Sequence, residues 1–266
     1  MHVSKITTQN ILQILTPIWS TKTETASRVR ARIERILAYA TTHGFRAGDN
    51  PARLIGHLDT ILPPANKLKR TIHHPSLPHS QAGKFIALLR LVPTTGAKAL
   101  EFTILTAARS GDVRGAKWRE INFENKTWII PASRIKAEKE HVVPLSSGCM
   151  SILSALRLGD GSDLVFKGTC GMLSDMTLGK VIKSLHKKDL PTGGGFLDPV
   201  SGRIATTHGF RSTFRDWAAE ETSFPREVIE HCLAHQLKDR AEAAYQRSTT
   251  LNKRTTLMQE WCNYLG

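Results

Sequence analysis

The spacing of apolar residues changes its period at one place in this chain of 266 residues. Most segments carry apolar side chains three or four residues apart, as amphipathic helices do. Between residues 119 and 145 apolar and polar residues alternate instead. This alternation predicts three short strands, at 119–123, 127–130 and 141–145. The fold class predicted is therefore mainly α, with one small antiparallel three-stranded sheet, and Lys136 lies at the tip of its second hairpin.

Helical spacing and proline positions divide the chain into two domains. We predict a helix over 6–15 that stops before Pro17, and a longer one that begins at a capping box of Thr21 and Glu24. A third helix is predicted from Asn50 to Leu62. The predicted organisation is a small helical domain at 1–65, a basic linker at 66–78 and a second, larger domain at 79–266.

The charge balance favours a polyanionic partner. Lysine and arginine number 37 against 23 aspartate and glutamate residues, which gives a formal net charge of +14. The alternative is an ordinary solvated basic surface. The 40% hydrophobic content is sufficient for a core in each predicted domain.

Cysteines and histidines give little sign of a metal site. The four cysteines lie far apart without a C-x-x-C pair, which indicates neither a disulfide framework nor zinc binding. His73, His74 and His79 lack partners at ligand spacing, so we expect them to face solvent or phosphate. No apolar run reaches the length of a membrane span, and we expect a cytoplasmic protein in a reducing compartment.

The stretch from His208 to Tyr245 carries the residues that suggest chemistry. His208 and Arg211 stand three apart and share one face of a helix. His235 and Tyr245 follow. A group of cations that meets at one point suits an anion, and a tyrosine beside it can attack that anion. Taken singly, a tyrosine or histidine is more often a structural residue, so the grouping carries the prediction of a phosphodiester site.

These residues resemble the signature of the tyrosine recombinases, especially the integrases of prophages and genomic islands. The segments HGFRSTFRDWAAEE and EAAYQRS are similar to that subgroup. The family pattern falls on Arg109, Lys136, His208, Arg211, His235 and Tyr245. This sequence has Ala234 before His235, where many relatives carry glycine. The arm-site DNA-binding domain usual in the subgroup is missing, so we expect a fragment or a shortened member.

The resemblance implies a role for each residue. Tyr245 would attack the scissile phosphorus and form a 3′-phosphotyrosyl bond. Arg109 and Arg211 would hold the two non-bridging oxygens, with Asp112 supporting the first arginine. Lys136 would protonate the departing 5′-oxygen.

The histidines and one rival lysine complete the set. His235 would donate a further hydrogen bond to the phosphate, and His208 would help to take the tyrosine proton. Lys139 competes with Lys136 on spacing alone. No metal or other cofactor is expected, because the cations themselves offset the phosphate charge.

The resemblance also implies the function. We expect a site-specific DNA recombinase that integrates or excises a prophage or genomic island, acting on double-stranded core sites as a homo-oligomer, in synapsis a tetramer. One alternative is a nicking and resealing enzyme like type IB topoisomerases. Another is a DNA-binding fragment that occupies recombination sites without catalysis. Arginines on the second helix are expected to contact DNA; they are Arg28, Arg30, Arg32 and Arg35.

The C-terminal segment carries an apolar stripe. Its members are Leu257, Met258, Trp261, Cys262 and Leu265. Such a stripe must be buried somewhere. We predict that it docks on a neighbouring protomer, the alternative being docking on its own domain.

Overall fold

The computed structural model describes residues 1–68, 73–135, 139–156, 163–235 and 250–266. The chain divides into two compact units, Met1–Ile72 and His73–Gly266. No helix in these described ranges is both long and apolar enough to cross a membrane.

The first unit begins with helix α1, Thr8–Trp19. Thr7 caps it, since its side chain accepts a hydrogen bond from the backbone of Asn10. The prediction that α1 stops before Pro17 is wrong. The helix continues through the proline to Trp19, whose buried ring donates from Nε1 to the carbonyl of Pro63 at 2.8 Å and so holds the last turn.

Helix α2, Thr23–Thr42, packs against α1. The predicted capping box of Thr21 and Glu24 is absent, because Lys22 occupies the N-cap position and the hydroxyl of Thr21 donates to the carbonyl of Pro17 instead. The core that the two helices share with the following turns consists of Ile11, Leu15, Trp19, Ala26, Leu37, Ala52, Leu58 and Leu62.

The predicted helix over 50–62 is not formed. The segment consists of turns and a short 3-10 helix, Leu58–Thr60, before α3, Ala65–Leu68. Asn50 starts a turn by accepting from the backbone of Ala52, and Gly56 takes a positive φ of 69°. Such local hydrogen bonds compete with a continuous helix.

The four arginines of α2 have different environments. Arg30 is largely buried and donates to Glu34 at 2.5 Å and to the carbonyl of Ala52 at 2.9 Å, so it serves the fold. Arg28 is exposed and pairs with Glu24. Arg32 and Arg35 are exposed. The expectation of DNA contact therefore fits Arg32 and Arg35 better than Arg30.

The second unit is built around α5, Thr95–Thr106. All but two of its residues are buried, including Leu100, Phe102 and Leu105, and a helix that is apolar on every side belongs at the centre of a core. Around it the chain forms α4, Ala82–Arg90; α6, Ser110–Arg114; α7, Ser147–Leu156; α8, Thr177–Gly193; α9, Gly209–Glu221; α10, Arg226–Cys232; and α11, Leu251–Leu265.

The predicted three-stranded sheet is confirmed, with strand order β1-β2-β3. The strands are β1, Ile121–Asn122; β2, Thr127–Ile130; and β3, His141–Pro144. All pairings are antiparallel, with Trp128 opposite Val143. β1 is shorter than predicted because Glu120 ends a 3-10 turn, where its carboxylate accepts from Trp128 Nε1 and from Arg134. A two-stranded ribbon, β4, Lys167–Gly168, and β5, Gly171–Met172, completes the unit.

Helix α11 docks on its own unit, so the prediction of docking on a neighbour is wrong for its apolar stripe. Trp261 is fully buried, lies 4.9 Å from Trp217 between ring centroids and donates from Nε1 to the carbonyl of Ile104 at 2.9 Å. The rest of the stripe is buried in the same core: Leu257, Met258, Cys262 and Leu265. The core of the second unit buries these side chains, so the stripe leaves no apolar surface that a neighbouring protomer would have to cover.

Candidate active site

Arg211 occupies the first turn of α9 and is 5% exposed. Its guanidinium donates to the carbonyls of Ala107 at 2.5 Å and Leu233 at 2.6 Å, and to Nε2 of His235 at 3.1 Å. Burial, and next the charge of Arg109, lower the pKa of Arg211 to about 10, which leaves it charged at neutral pH. The protein thus fixes a buried cation through backbone carbonyls.

Two alanines in the left-handed conformation aim the carbonyls that hold the arginines. Ala107 ends α5 with φ 48°, and Ala234 follows α10 with φ 49°. The carbonyl of Ala107 accepts from Arg211, and the carbonyl of Ala234 accepts from Nη2 of Arg109 at 3.3 Å. Each chain reversal directs its carbonyl into the site. Glycine, which adopts positive φ freely, would suit both positions.

Arg109 and Asp112 lie at the start of α6. Arg109 precedes the helix and is half-buried, and Asp112 is in its first turn. Burial raises the pKa of Asp112, against the lowering effects of Arg109, Arg134 and Arg211. Three arginines therefore lie near the carboxyl group, and one of them is Arg109, which the sequence predicts Asp112 to support.

His208 stands immediately before α9 and is exposed. The ring of His74 packs against it, with 4.4 Å between centroids and 57° between planes. Partial burial of the ring, which His74 covers on one side, lowers the pKa of His208, and the charges of His74, Arg211 and Arg109 lower it further. A histidine that is neutral at physiological pH can accept a proton.

The segment 73–77, which carries His74, is fastened to the same unit. The carbonyl of Pro75 accepts from the backbone of Thr206 at 3.0 Å, and the backbone of Ser76 donates to Asp198 at 2.9 Å. A Cβ at Gly209 would come within 1.8 Å of the Pro75 carbonyl, so only glycine permits this approach. Part of the predicted linker therefore belongs to the second unit and brings a histidine to the site.

His235 is joined to a carboxylate that the sequence reasoning missed. Its Nδ1 lies 2.6 Å from Oε2 of Glu230, while Oε1 of Glu230 accepts from Arg215 at 2.9 Å. Arg226 is near the same carboxylate, at 4.0 Å. A five-residue separation does not place two side chains on one helix face; the reversal at Ala234 brings them together, and the sequence carried no signal for it.

These side chains border one pocket of about 300 Å³. The charged and titratable residues in its lining are His208, Arg211, Arg215, Arg226, Glu230 and His235. Three predicted site residues thus meet there, with Arg109 next to them through Ala234. Lys136 and Tyr245 lie outside the described residues. Lys139 is described and exposed.

Among the described ranges, no three His, Cys, Asp or Glu side chains are grouped closely enough to hold a metal ion. The arginine side chains in the pocket lining are Arg211, Arg215 and Arg226.

Comparison with known proteins identifies the family. Residues 1–57 match the phage integrase central domain, and residues 76–251 match the phage integrase family. The second match covers well over half of the chain. The chain belongs to the phage integrase family. This confirms the resemblance that the sequence predicted.

Individual members of the phage integrase family are similar to the chain over nearly all its length. The integrase of Enterobacteria phage P4 is 28% identical over 92% of this chain and 56% of its own length. Prophage integrase IntZ of Escherichia coli (strain K12) is 30% identical over 97% of this chain and 60% of its own length. The chain thus spans somewhat more than half the length of these relatives.

Solved integrase structures share the fold at low sequence identity. A lambda integrase dimer bound to a COC′ core site superposes with a TM-score of 0.62 at 19% identity, covering 89% of this chain and 81% of that one. The Tn1549 transposon integrase in complex with circular intermediate DNA gives 0.61 at 13% identity, covering 96% and 86%. These likenesses confirm the predicted fold class.

Proposed function

We propose that this chain is a site-specific DNA recombinase that cleaves and rejoins DNA through a 3′-phosphotyrosyl intermediate, to integrate or excise a prophage or genomic island. The observation that carries the proposal is the convergence of buried, carbonyl-anchored Arg211 with His208 and His235 on one pocket. A rigid cation with hydrogen-bond donors around it is what a phosphodiester transition state requires.

The proposed reaction is a transesterification. The hydroxyl oxygen of Tyr245 forms a bond to the scissile phosphorus as the bond to the 5′-oxygen breaks. His208 takes the tyrosine proton, and Lys136 gives a proton to the departing oxygen. Rejoining reverses both transfers. One phosphoester replaces another, so no external energy source enters.

The arginines and His235 act on the non-bridging oxygens. Arg109 and Arg211 bind them as charged hydrogen-bond donors, and His235 adds a third donor. We propose that these groups supply the positive charge and that no cofactor takes part. Asp112 keeps Arg109 oriented from behind.

The proposed partners are double-stranded core sites and further copies of the chain. Solved relatives include a lambda integrase tetramer bound to a Holliday junction. We propose that this chain also acts as a tetramer on paired sites in the cytoplasm, with 1–65 binding core DNA, 66–72 as linker and 73–266 carrying the chemistry. The net charge of +14 supports a DNA partner.

A nicked duplex from the ends of the chain's own mobile element tests the proposal. Loss of the short strand beyond the scissile phosphate prevents rejoining, so an active enzyme stays attached to DNA. We expect a covalent adduct on denaturing gels with the parent protein and with Tyr39→Phe, and none with Tyr245→Phe. DNA binding without any adduct would favour the non-catalytic alternative. Relaxation of supercoiled DNA without strand exchange would favour the topoisomerase-like one.

A further inference from the structure

A buried carboxylate borders a pocket whose other charged groups are cationic. Glu230 on α10 is 8% exposed, and both its oxygens point at partners, Oε2 at His235 and Oε1 at Arg215. A carboxylate so close to an anion site opposes phosphate binding unless its charge stabilises another group. The proposed reaction leaves Glu230 without a role.

The contacts of His235 determine where its proton lies in the free protein. Nη2 of Arg211 can only donate, so Nε2 of His235 accepts that bond and carries no hydrogen. The proton is then on Nδ1 and points at Oε2 of Glu230, 2.6 Å away. Burial alone would raise the pKa of Glu230, but the hydrogen bond from His235 and the charge of Arg215 lower it. The carboxylate is ionised and accepts that proton.

A bound phosphate requires Nε2 of His235 to donate a hydrogen bond, whereas in the free protein it accepts one from Arg211. Phosphate oxygens accept hydrogen bonds, so His235 contributes only if Nε2 carries a hydrogen. Because Nδ1 already holds one, Nε2 must take a proton from solvent and the ring becomes a cation. The Arg211 donor that faced Nε2 is then free to turn to the phosphate.

We propose that Glu230 is the positioning residue of His235: it holds the Nδ1 proton and thereby lets Nε2 take up a second proton and donate it in a hydrogen bond to the scissile phosphate when DNA binds. This rests on the proposed function for the identity of the phosphate.

The groups around His235 explain why a carboxylate is needed. From α9 and the residue before it come His208, Arg211 and Arg215; from α10 come Arg226 and Glu230; and Arg109 reaches the neighbouring carbonyl of Ala234. Among these described groups Glu230 is the one anion. Asp112 on α6 is the next carboxylate, and its charge acts on Arg109 and Arg211. Without Glu230, a charged imidazole would have no carboxylate of its own beside the arginines and His208, and proton uptake would be opposed.

The first test reads the proton position on the free protein, without DNA. Imidazole nitrogen shifts of His235, assigned with His235→Gln, should show a protonated Nδ1 and an unprotonated Nε2 in the parent. In Glu230→Ala the population should move toward the other tautomer. Protonation of Nε2 in the free parent protein would overturn the proposal. This outcome does not depend on whether the chain cleaves DNA.

The second test measures proton uptake on binding a core-site duplex, by calorimetry in buffers of different ionisation enthalpy. Glu230→Gln keeps the shape of the side chain and removes its charge; Glu227→Gln, on the same helix and outside the pocket lining, is the matched control. We expect uptake to fall to near the value of His235→Phe in Glu230→Gln and to stay at the parent value in the control. Unchanged uptake in Glu230→Gln would contradict the proposal.

The third test separates positioning from a general structural defect. Single-turnover cleavage by Glu230→Gln should be slower at pH 8 by at least about tenfold and should recover as pH falls, because lower pH restores the second proton. In a His235→Phe background the same substitution should have little further effect. Equal slowing in both backgrounds would assign Glu230 to the fold alone. Absence of cleavage by the parent protein would instead count against the proposed function.

Discussion

Two alanines carry backbone strain at the places where the candidate site is held together. Ala107 and Ala234 both have φ near 50°, a region that costs a residue with a Cβ roughly 1 kcal/mol. In exchange their carbonyls anchor Arg211 and Arg109.

Replacing Ala234 by glycine should stabilise the protein. The substitution removes the Cβ that opposes positive φ and leaves the carbonyl in place, so we expect a gain of about 0.5–1 kcal/mol in the free energy of unfolding. Ala219, exposed on α9, is the matched control: Ala219→Gly should lose about 1 kcal/mol because it lies within a helix. Urea unfolding measures both. A loss at both positions would show that φ at 234 is not the controlling factor.

Helical spacing was enough to predict that His208 and Arg211 reach the same place, since residues three apart share a helix face. The contact between His235 and Glu230 was beyond such reasoning. The contact depends on a reversal of the chain direction at Ala234. An alanine after a helix is not a sequence signal for the left-handed conformation. The carbonyl partners of Arg211 could not be predicted either, because every residue has a backbone carbonyl and the sequence does not show which ones accept.

The segment 73–77 depends on one carboxylate for its attachment near the site. Asp198 accepts from the backbone of Ser76 at 2.9 Å, of Ser201 at 2.7 Å and of Val200 at 3.0 Å. The hydrogen bond from Ser76, against the effect of burial, and those from Ser201 and Val200 lower the pKa of Asp198 to about 2. In its ionised form this carboxylate therefore ties the segment that carries His74 to the rest of the second unit.

Asp198→Asn should destabilise the protein by about 1 kcal/mol at pH 7, after a discount for solvent screening. A carboxylate with a depressed pKa stabilises the fold above its ordinary pKa near 4, and the effect is lost as pH falls toward 2. The difference between parent and variant in urea unfolding should therefore shrink between pH 7 and pH 3. Other carboxylates titrate alike in both proteins and cancel. A constant difference would show that the charge of Asp198 is not involved.

The packing of α11 leads to a sharp prediction. Trp261 is fully buried between Trp217 and Phe214, so Trp261→Ala should lower the free energy of unfolding by about 3–5 kcal/mol in the absence of DNA. Lys253→Ala, on the exposed side of the same helix, should change it by less than about 0.5 kcal/mol. If both variants unfold like the parent, the stripe is free in the monomer and docking on a neighbour regains support.

Element types were easier to predict from sequence than element ends. The sheet followed from alternation, but α1 passes the proline that was expected to end it. A hydrogen bond from Trp19, the last residue of the helix, to the carbonyl of Pro63 holds that last turn. The segment 50–62 contains a helix start signal, yet side-chain bonds of Asn50 and Asp59 to nearby backbone groups favour turns.

The two compact units and the family match agree with a DNA-handling protein that carries a surplus of 14 positive charges. Part of that surplus has a structural use, since Arg30, Arg46 and Arg211 donate to backbone carbonyls inside their units. A count of arginines thus overstates the surface left for DNA. The exposed Arg32 and Arg35 are the better candidates for phosphate contact in the first unit.

The most direct measurement of the proposed chemistry is mass spectrometry of the adduct between this chain and a nicked core-site duplex. After nuclease and trypsin digestion, we predict one modified peptide, residues 241–247, with a phosphate-linked nucleotide on Tyr245. The other two tyrosines, Tyr39 and Tyr264, should remain unmodified. Attachment at either of them, or at a serine, would contradict the account.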